Sequence, residues 1–181
     1  MSGYIHDQIL SSSELQEARD LATSLDFYPV FQMYNLFDME RADIEGEWLD
    51  SGFAKTLLSY SKLPNLIGFY FLRYIPGSFT RMHEDNNTSL TIVTLLDDEN
   101  LVGGHAIVKD KYNQKPRPAD QTCQRSDFEK DSPPYGQDII MDVLPMKRGD
   151  SLVYGPEQSH AVSKVYEGTR LVLVSWFTDK D

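Results

Sequence analysis

Two histidines and one aspartate are the residues of this chain whose types and spacing could bind a metal. His83 and Asp85 are separated only by Glu84, and His160 lies far downstream. The segment around His83 follows a Pro76-Gly77 turn and is expected to be a short strand, in which side chains alternate between faces. His83 and Asp85 therefore share a face, while Glu84 points away. With His160 they would form the triad of two histidines and one carboxylate that binds ferrous iron and leaves coordination positions open.

The other two histidines are poorer candidates for a metal ligand. His6 lies in an N-terminal segment that is expected to be frayed. His105 follows Gly103-Gly104 and has no carboxylate at a ligand spacing. His160 also has an alternative role, that of a histidine that begins a strand and hydrogen-bonds the backbone. His160 is thus the candidate third ligand, provided that a distant strand brings it to the other two.

A single arginine on an apolar strand face indicates an anion partner. Residues 169–177 are rich in Val, Leu and aromatics and predict a strand. Alternation would place Arg170 on one face together with Val172, Val174 and Trp176. Burying an unpaired guanidinium is costly, whereas a planar carboxylate can accept two of its hydrogen bonds. The partner could be an Asp or Glu of the protein, or the carboxylate of a small acid bound beside the metal.

The turn between these two segments decides whether His160 and Arg170 meet. A three-residue hairpin loop at residues 166–168, with Gly168 in the left-handed conformation, would pair Lys164 with Arg170. The inward set would then be His160, Val162, Arg170, Val172 and Trp176, so that ligand and arginine line one cavity. A two-residue turn at Glu167-Gly168 would place them on opposite faces. We expect the three-residue loop.

Several short motifs follow one another in order along residues 68–177. They are Arg73-Tyr74-Ile75-Pro76-Gly77, His83-x-Asp85, Gly103-Gly104, Pro145-x-x-x-Gly149-Asp150 before Leu152-Val153-Tyr154, His160-Ala161-Val162, Gly168-x-Arg170, and Trp176. Each motif is weak alone, but the ordered set resembles the 2-oxoglutarate and iron(II)-dependent dioxygenases, specifically their prolyl 4-hydroxylase-like branch.

The resemblance implies a fold, a set of cofactors and a role for each site residue. The fold would be mainly β with flanking helices (α+β), a double-stranded β-helix of the cupin-like jelly-roll type supported by N-terminal helices. The cofactors would be Fe(II) and the cosubstrate 2-oxoglutarate, with ascorbate as a candidate reductant. The ligands of Fe(II) would be His83, Asp85 and His160. Arg170 would bind the distal carboxylate of 2-oxoglutarate, with Tyr74 and Trp176 in the same pocket.

The expected activity is the hydroxylation of an unactivated carbon, with succinate and CO2 as co-products. A prolyl residue in a peptide or protein is the first expectation for the substrate, and a free amino acid or other small molecule is the alternative. Two departures weaken the prolyl assignment, since Leu95 stands where many prolyl hydroxylases have a tyrosine and His105-Ala106 follows the glycine pair. A non-catalytic, cupin-like metal- or ligand-binding protein remains the alternative of another class, in which Tyr74 and Trp176 would be core aromatics.

Composition favours a single, soluble domain over residues 1–181. The sequence is 40% hydrophobic, and it contains no apolar run of the roughly 18 residues needed to span a bilayer. The N-terminus has no features of a signal peptide and the chain has a single cysteine, Cys123, so we expect a cytoplasmic protein without a disulfide. The net charge of −11 argues against nucleic acid as the main partner. The expected partners are therefore a peptide or small-molecule substrate and molecular oxygen.

The chain divides into a helical support region at residues 1–66 and a jelly-roll core at residues 67–181. Ser11 to Glu14 and the apolar positions that follow predict a capped amphipathic helix. A second helix is indicated by Trp48, Leu49, Phe53, Leu57 and Leu58. The aromatic residues 27–37 could form a strand pair or part of a substrate-facing wall. The polar, proline-containing residues 109–138 predict a long inserted loop, either a lid or a surface excursion.

Overall fold

The computed structural model describes residues 4–30, 36–109 and 141–180 of the chain. Within these residues the strands are β1 (Tyr4–Asp7), β2 (Tyr28–Val30), β3 (Leu36–Phe37), β4 (Met39–Asp43), β5 (Asn65–Tyr74), β6 (Phe79–His83), β7 (Leu90–Asp97), β8 (Val102–Gly103), β9 (Ala106–Lys109), β10 (Met141–Leu144), β11 (Ser151–Tyr154), β12 (His160–Val162), β13 (Val165–Glu167) and β14 (Arg170–Thr178). The helices are α1 (Ser12–Ser24) and α2 (Gly52–Ser61), and a 3-10 turn spans Gly46–Asp50.

Two antiparallel sheets form the body of the protein. The larger has seven strands in the order β1-β11-β7-β14-β5-β4-β2, and the smaller has five in the order β10-β9-β12-β6-β3. Strands β8 and β13 form a separate pair. Apolar side chains of the larger sheet pack with Val162 of the smaller sheet in one buried cluster. The predicted fold, a mainly β jelly roll with flanking helices, is confirmed.

Strand β14 at the centre of the larger sheet shows how alternation builds this core. Val172 and Val174 pack on the side of the smaller sheet, whereas Leu171 and Leu173 pack on the side of the helices. Because both faces of the sheet are covered, six of the nine residues of β14 are apolar. The one charged residue of β14 is Arg170, which is buried and lines the space between the two sheets.

The two helices cover the outer face of the larger sheet. The Ser11 side chain and the Glu14 side chain cap the first turn of α1 reciprocally, as the sequence predicts. Helix α2 begins after Ser51, which caps it, so the second helix starts later than predicted. Trp48 belongs to the preceding 3-10 turn and is partly exposed. Both helices pack their apolar faces against strands β5, β7 and β14 in one buried cluster.

The N-terminal segment is a strand, so the expectation that it is frayed is wrong. Residues 4–7 pair with β11 at the edge of the larger sheet. Nε2 of His6 lies 2.8 Å from Oδ2 of Asp150, and the Gln8 side chain donates to Oδ1 of the same carboxylate. The periodicity argument missed this strand because its partner is far away in the sequence. Strands β1 to β4 all begin within residues 1–66, so the region predicted as helical support also contributes to both sheets.

The expected hairpin between His160 and Arg170 does not form. Strand β12 lies in the smaller sheet between β9 and β6, while β14 lies in the larger sheet between β7 and β5. Gly168 has the predicted positive φ of 72°, but it follows β13, where a Cβ would lie 2.3 Å from two backbone oxygens. Lys164 is exposed and does not pair with Arg170. His160 and Arg170 therefore reach one cavity from opposite sheets, and not from one hairpin.

Two further expectations concern the inserted loop and the aromatic segment. The inserted loop predicted at residues 109–138 lies outside the described residues, except for the end of β9. The aromatic segment at residues 27–37 includes β2 and β3, which belong to different sheets and therefore do not form a strand pair. No helix in the described segments combines the length and apolar character needed to cross a membrane.

Candidate metal centre and ligand cavity

A cavity of about 470 Å³ lies between the two sheets. Its lining includes all six residues singled out in the sequence, namely Tyr74, His83, Asp85, His160, Arg170 and Trp176. Most of the remaining wall is apolar, with Leu72, Val172 and Val174 from the larger sheet and Val162 from the smaller. The structure thus brings the predicted residues into one space, a mostly apolar pocket with a limited set of polar side chains.

The metal-binding candidates converge at one end of this cavity. His83 ends β6 and lies opposite His160, the first residue of β12. Nε2 of His83 is 3.6 Å from Oδ1 of Asp85, and Nε2 of His160 is 3.8 Å from Oδ2. One ligand atom from each residue lies within 4.8 Å of the others. Asp85 follows the end of the strand, yet it shares the side of His83 as alternation predicts.

The hydrogen bonds around the triad leave its ligand atoms available. Nδ1 of His83 donates to the Arg81 carbonyl at 2.7 Å, and Nδ1 of His160 donates to the Gln158 carbonyl at 3.0 Å. A carbonyl only accepts, so each Nδ1 carries the proton and each Nε2 presents a lone pair. The Thr91 hydroxyl donates to Oδ2 of Asp85 at 2.8 Å and fixes the orientation of the carboxylate.

Burial and the neighbouring His83 lower the pKa of His160 to about 4. His160 is therefore neutral at neutral pH, which is the form that coordinates a metal. Glu84 does not join the triad, because its Oε1 accepts a hydrogen bond from the Ser159 hydroxyl at 2.8 Å. The donor set thus comprises the imidazoles of His83 and His160 and the side-chain oxygens of Asp85.

Arg170 is a buried cation without an anion among the described residues. Its side chain is only 2% exposed, and burial lowers the pKa of its guanidinium. Nη2 contacts the Met146 sulfur at 3.8 Å, and Cζ lies 5.2 Å from the centre of the Tyr74 ring. Nη1 has no hydrogen-bond partner in the described part of the chain. The alternative of an Asp or Glu partner is therefore not found there, and the arginine is left available for a ligand carboxylate.

Tyr74 and Trp176 differ in whether their polar atoms have a hydrogen-bond partner among the described residues. The Tyr74 hydroxyl lies 3.0 Å from Oγ1 of Thr80 and is fully buried. Trp176 packs edge-on against Tyr70 at 5.4 Å, above Gly68, where a Cβ would lie 2.9 Å from the indole. Nε1 of Trp176 has no hydrogen-bond partner within the residues described. Both line the cavity, and their contact with a ligand stays a prediction.

Tyr154 and Arg41 also line the cavity, although the sequence assigned a role to neither. Tyr154 of β11 places its ring 4.3 Å from the His160 ring. Arg41 of β4 places its guanidinium 3.9 Å above the centre of the Tyr70 ring and bonds Asp43 through Nε. No motif marks Arg41, and Tyr154 entered a motif only as its last residue, because the order of these strands in the sheet is not readable from the sequence. The tyrosine in Leu152-Val153-Tyr154, six residues before His160, was the one available signal.

The comparison with solved structures agrees with this architecture, whereas two comparisons of the sequence found no match. No protein-family model and no curated protein matches the sequence. Among solved structures, the chain resembles an oxidoreductase of the 2OG-Fe(II) oxygenase family from Burkholderia pseudomallei, with 15% identity, a TM-score of 0.69, and coverage of 99% of this chain and 86% of that one.

Two further solved structures share the fold. One is a Pseudomonas putida prolyl-4-hydroxylase, with 16% identity, a TM-score of 0.65, and coverage of 99% of this chain and 94% of that chain. The other is HygX from Streptomyces hygroscopicus with nickel, 2-oxoglutarate and hygromycin B bound, with 16% identity, a TM-score of 0.63, and coverage of 99% and 86%. The chain therefore has the double-stranded β-helix fold of the 2OG-Fe(II) oxygenases.

Proposed function

We propose that this protein is an Fe(II)- and 2-oxoglutarate-dependent dioxygenase. The observation that carries the proposal is a buried guanidinium, without an anion partner among the described residues, in the same cavity as a triad of two histidines and one aspartate. The donor set fits ferrous iron, since two imidazole nitrogens and a carboxylate leave positions free for further ligands. Arg170, which has no anion partner in the described part of the chain, fits the distal carboxylate of a dicarboxylic acid, because a bidentate pair would satisfy its hydrogen bonds.

The residues of the chain would divide the work as follows. His83, Asp85 and His160 would bind the metal, with Thr91 orienting the carboxylate. Arg170 would hold the distal end of 2-oxoglutarate. The apolar walls would exclude water, which strengthens each of these electrostatic contacts. When bound, iron and 2-oxoglutarate would supply, with dioxygen, the oxidising chemistry that hydroxylates a carbon and releases succinate and CO2.

The rival from another class is a cupin-like protein that binds a metal or ligand without catalysis. The buried Arg170 favours the oxygenase, since a metal-binding jelly roll without a dicarboxylate cosubstrate has no use for an unpaired cation in its cavity. A metal-binding protein would retain its affinity for iron in an arginine variant, and it would show no dependence on 2-oxoglutarate.

For the substrate we propose a prolyl residue in a peptide or protein, with a free amino acid or other small molecule as the alternative. The P. putida structure of the same fold is a prolyl-4-hydroxylase, which supports the first choice. The HygX structure contains hygromycin B, which supports the second. Succinate formation with proline-containing peptides, compared with free amino acids, separates the two. A cytoplasmic location stays a prediction.

Anaerobic titration of the metal-free protein with Fe(II) and then 2-oxoglutarate tests the proposed function. We expect a visible charge-transfer band from the chelated keto acid. Asp85→Ala should lose iron binding, whereas Arg170→Ala should keep iron and lose affinity for 2-oxoglutarate. Arg148→Ala is the matched control, because that arginine is half-exposed and pairs with surface carboxylates. Iron binding without the band in the unmodified protein would favour the non-catalytic rival.

A further inference from the structure

Tyr154 lies against the metal-binding end of the cavity. The side chain belongs to β11, is 2% exposed and lines the cavity. Its ring centre is 4.3 Å from that of His160, with the two planes tilted by 42°. The phenol therefore flanks one of the three candidate ligands, on the side supplied by the larger sheet.

The Tyr154 hydroxyl has no hydrogen-bond partner among the described residues, in contrast to Tyr74, whose hydroxyl meets Thr80. A tyrosine whose ring is buried commonly uses its hydroxyl for a hydrogen bond, and the Tyr154 oxygen is not one of the fully enclosed unpaired side-chain atoms of the described residues. The cavity contains the space in which a ligand atom could supply that partner.

The hydroxyl of Tyr154 shares its cavity with the candidate ligands and with the arginine. Tyr154 lines the cavity together with the triad and Arg170. Its ring contact with His160 puts the side chain beside the triad. A phenol hydroxyl can donate one hydrogen bond, and a carboxylate or keto oxygen of a bound acid can accept it.

We propose that the Tyr154 hydroxyl donates a hydrogen bond to the keto-acid end of the bound 2-oxo acid, next to His160. This assignment rests on the proposed function, because the acid must span the space between the triad and Arg170. Tyr154 would thus orient the end of the acid that meets the metal, while Arg170 holds the opposite carboxylate. The ring contact with His160 is what places the hydroxyl at the metal end.

The variant Tyr154→Phe tests this inference, because it removes one oxygen and keeps the ring that packs on His160. We expect the dissociation constant for 2-oxoglutarate, measured anaerobically with Fe(II), to rise about tenfold. The charge-transfer band should also move to shorter wavelength, since a hydrogen bond to the keto acid lowers the energy of the acceptor orbital. Tyr60→Phe is the matched control, because its hydroxyl is at the surface near Asp7.

The acid 2-oxovalerate, which lacks the distal carboxylate, locates the contact. If Tyr154 binds the keto-acid end, Tyr154→Phe should weaken this ligand by the same factor as 2-oxoglutarate. A loss confined to 2-oxoglutarate would overturn the placement. An unchanged band and affinity in Tyr154→Phe would overturn the proposal while leaving the oxygenase function standing. Absence of the band in the unmodified protein would instead refute the proposed function itself. Tyr154→Met, which also lacks a donor, repeats the test if the Phe variant folds poorly.

Discussion

Replacing Arg170 with methionine should make the ligand-free protein more stable and abolish its response to 2-oxoglutarate. Methionine fills a similar length of apolar side chain without the charge. In the structure the guanidinium has one sulfur contact at 3.8 Å and the face of Tyr74 at 5.2 Å, but no anion among the described residues. The substitution therefore removes a buried cation that is poorly compensated, and it sacrifices no strong hydrogen bond within the part of the chain described.

Arg170→Met is expected to raise the stability of the metal-free protein and to weaken its binding of 2-oxoglutarate. Replacing buried charges with apolar side chains can stabilise a protein by about 1 to 4 kcal/mol, so we expect the free energy of unfolding of the metal-free variant to rise by about 1 kcal/mol or more. Two charge-assisted hydrogen bonds to a carboxylate contribute at least about 3 kcal/mol to ligand binding. Arg170→Met should therefore raise the dissociation constant for 2-oxoglutarate at least about a hundredfold.

Urea unfolding under anaerobic conditions measures both effects in one experiment. With Fe(II) present and 2-oxoglutarate at about one hundred times its dissociation constant, the unmodified protein should gain about 2.7 kcal/mol, and the variant almost nothing. Arg148→Met controls for the loss of a positive charge at the surface. A metal-free variant that is less stable than the unmodified protein by more than about 1 kcal/mol would refute the view of Arg170 as an uncompensated cation. Equal stabilisation of both proteins by 2-oxoglutarate would refute its role as the anion site.

Three further outcomes are expected from the positions of single side chains. Thr91→Val removes the donor to the Asp85 carboxylate and should weaken metal binding about tenfold in a metal titration, whereas unchanged affinity would show that the carboxylate is fixed by other groups. Gly68→Ala places a methyl group 2.9 Å from the Trp176 indole, so a loss of about 1 to 3 kcal/mol and a shift in tryptophan fluorescence are expected, and an unshifted spectrum would contradict this packing. Burial alone would raise the pKa of Asp150. Hydrogen bonds from the Lys147 amide and from the side chains of Gln8 and His6 instead hold that pKa below its usual value. The contribution of its charge is present above the unfolded pKa of about 4 and is lost as the pH falls through the folded value. Asp150→Asn should thus cost about 1 to 2 kcal/mol near pH 7 and less in acid, and a cost independent of pH would argue against this charge as the cause.

The residues of the site could be predicted where a local pattern carries the information. Alternation correctly placed His83 beside Asp85, and it placed Arg170 on the inner face of its strand. The prediction that one hairpin brings His160 to Arg170 was wrong. It rested on how close the two segments are in the sequence, which suggests a hairpin. In this sandwich, β12 and β14 instead belong to different sheets. Proximity in the cavity arose from the packing of the sheets, which no short-range pattern encodes.

Features that depend on long-range strand pairing were not predictable in the same way. Strand β1 is short and polar, and it is ordered by pairing with β11, whose residues lie far downstream. Tyr154 belongs to that same strand β11, and Arg41 lies on β4, for which no motif gave a position in the sheet. Their contributions to the cavity follow from strand order and register. Both are set by non-local contacts and by the closure of the whole core.

The two outer strands of the seven-stranded sheet are poorly suited to pairing with a strand of another molecule. Strand β2 has Pro29 at its centre, and a proline has no amide hydrogen to offer to a strand of another molecule. At the opposite edge, β1 is only four residues long and ends in His6 and Asp7, both exposed. A short, charged edge is a poor template for intermolecular pairing. Removing residues 1–8 would uncover the edge of strand β11, so such a variant should aggregate at lower concentrations than the unshortened chain.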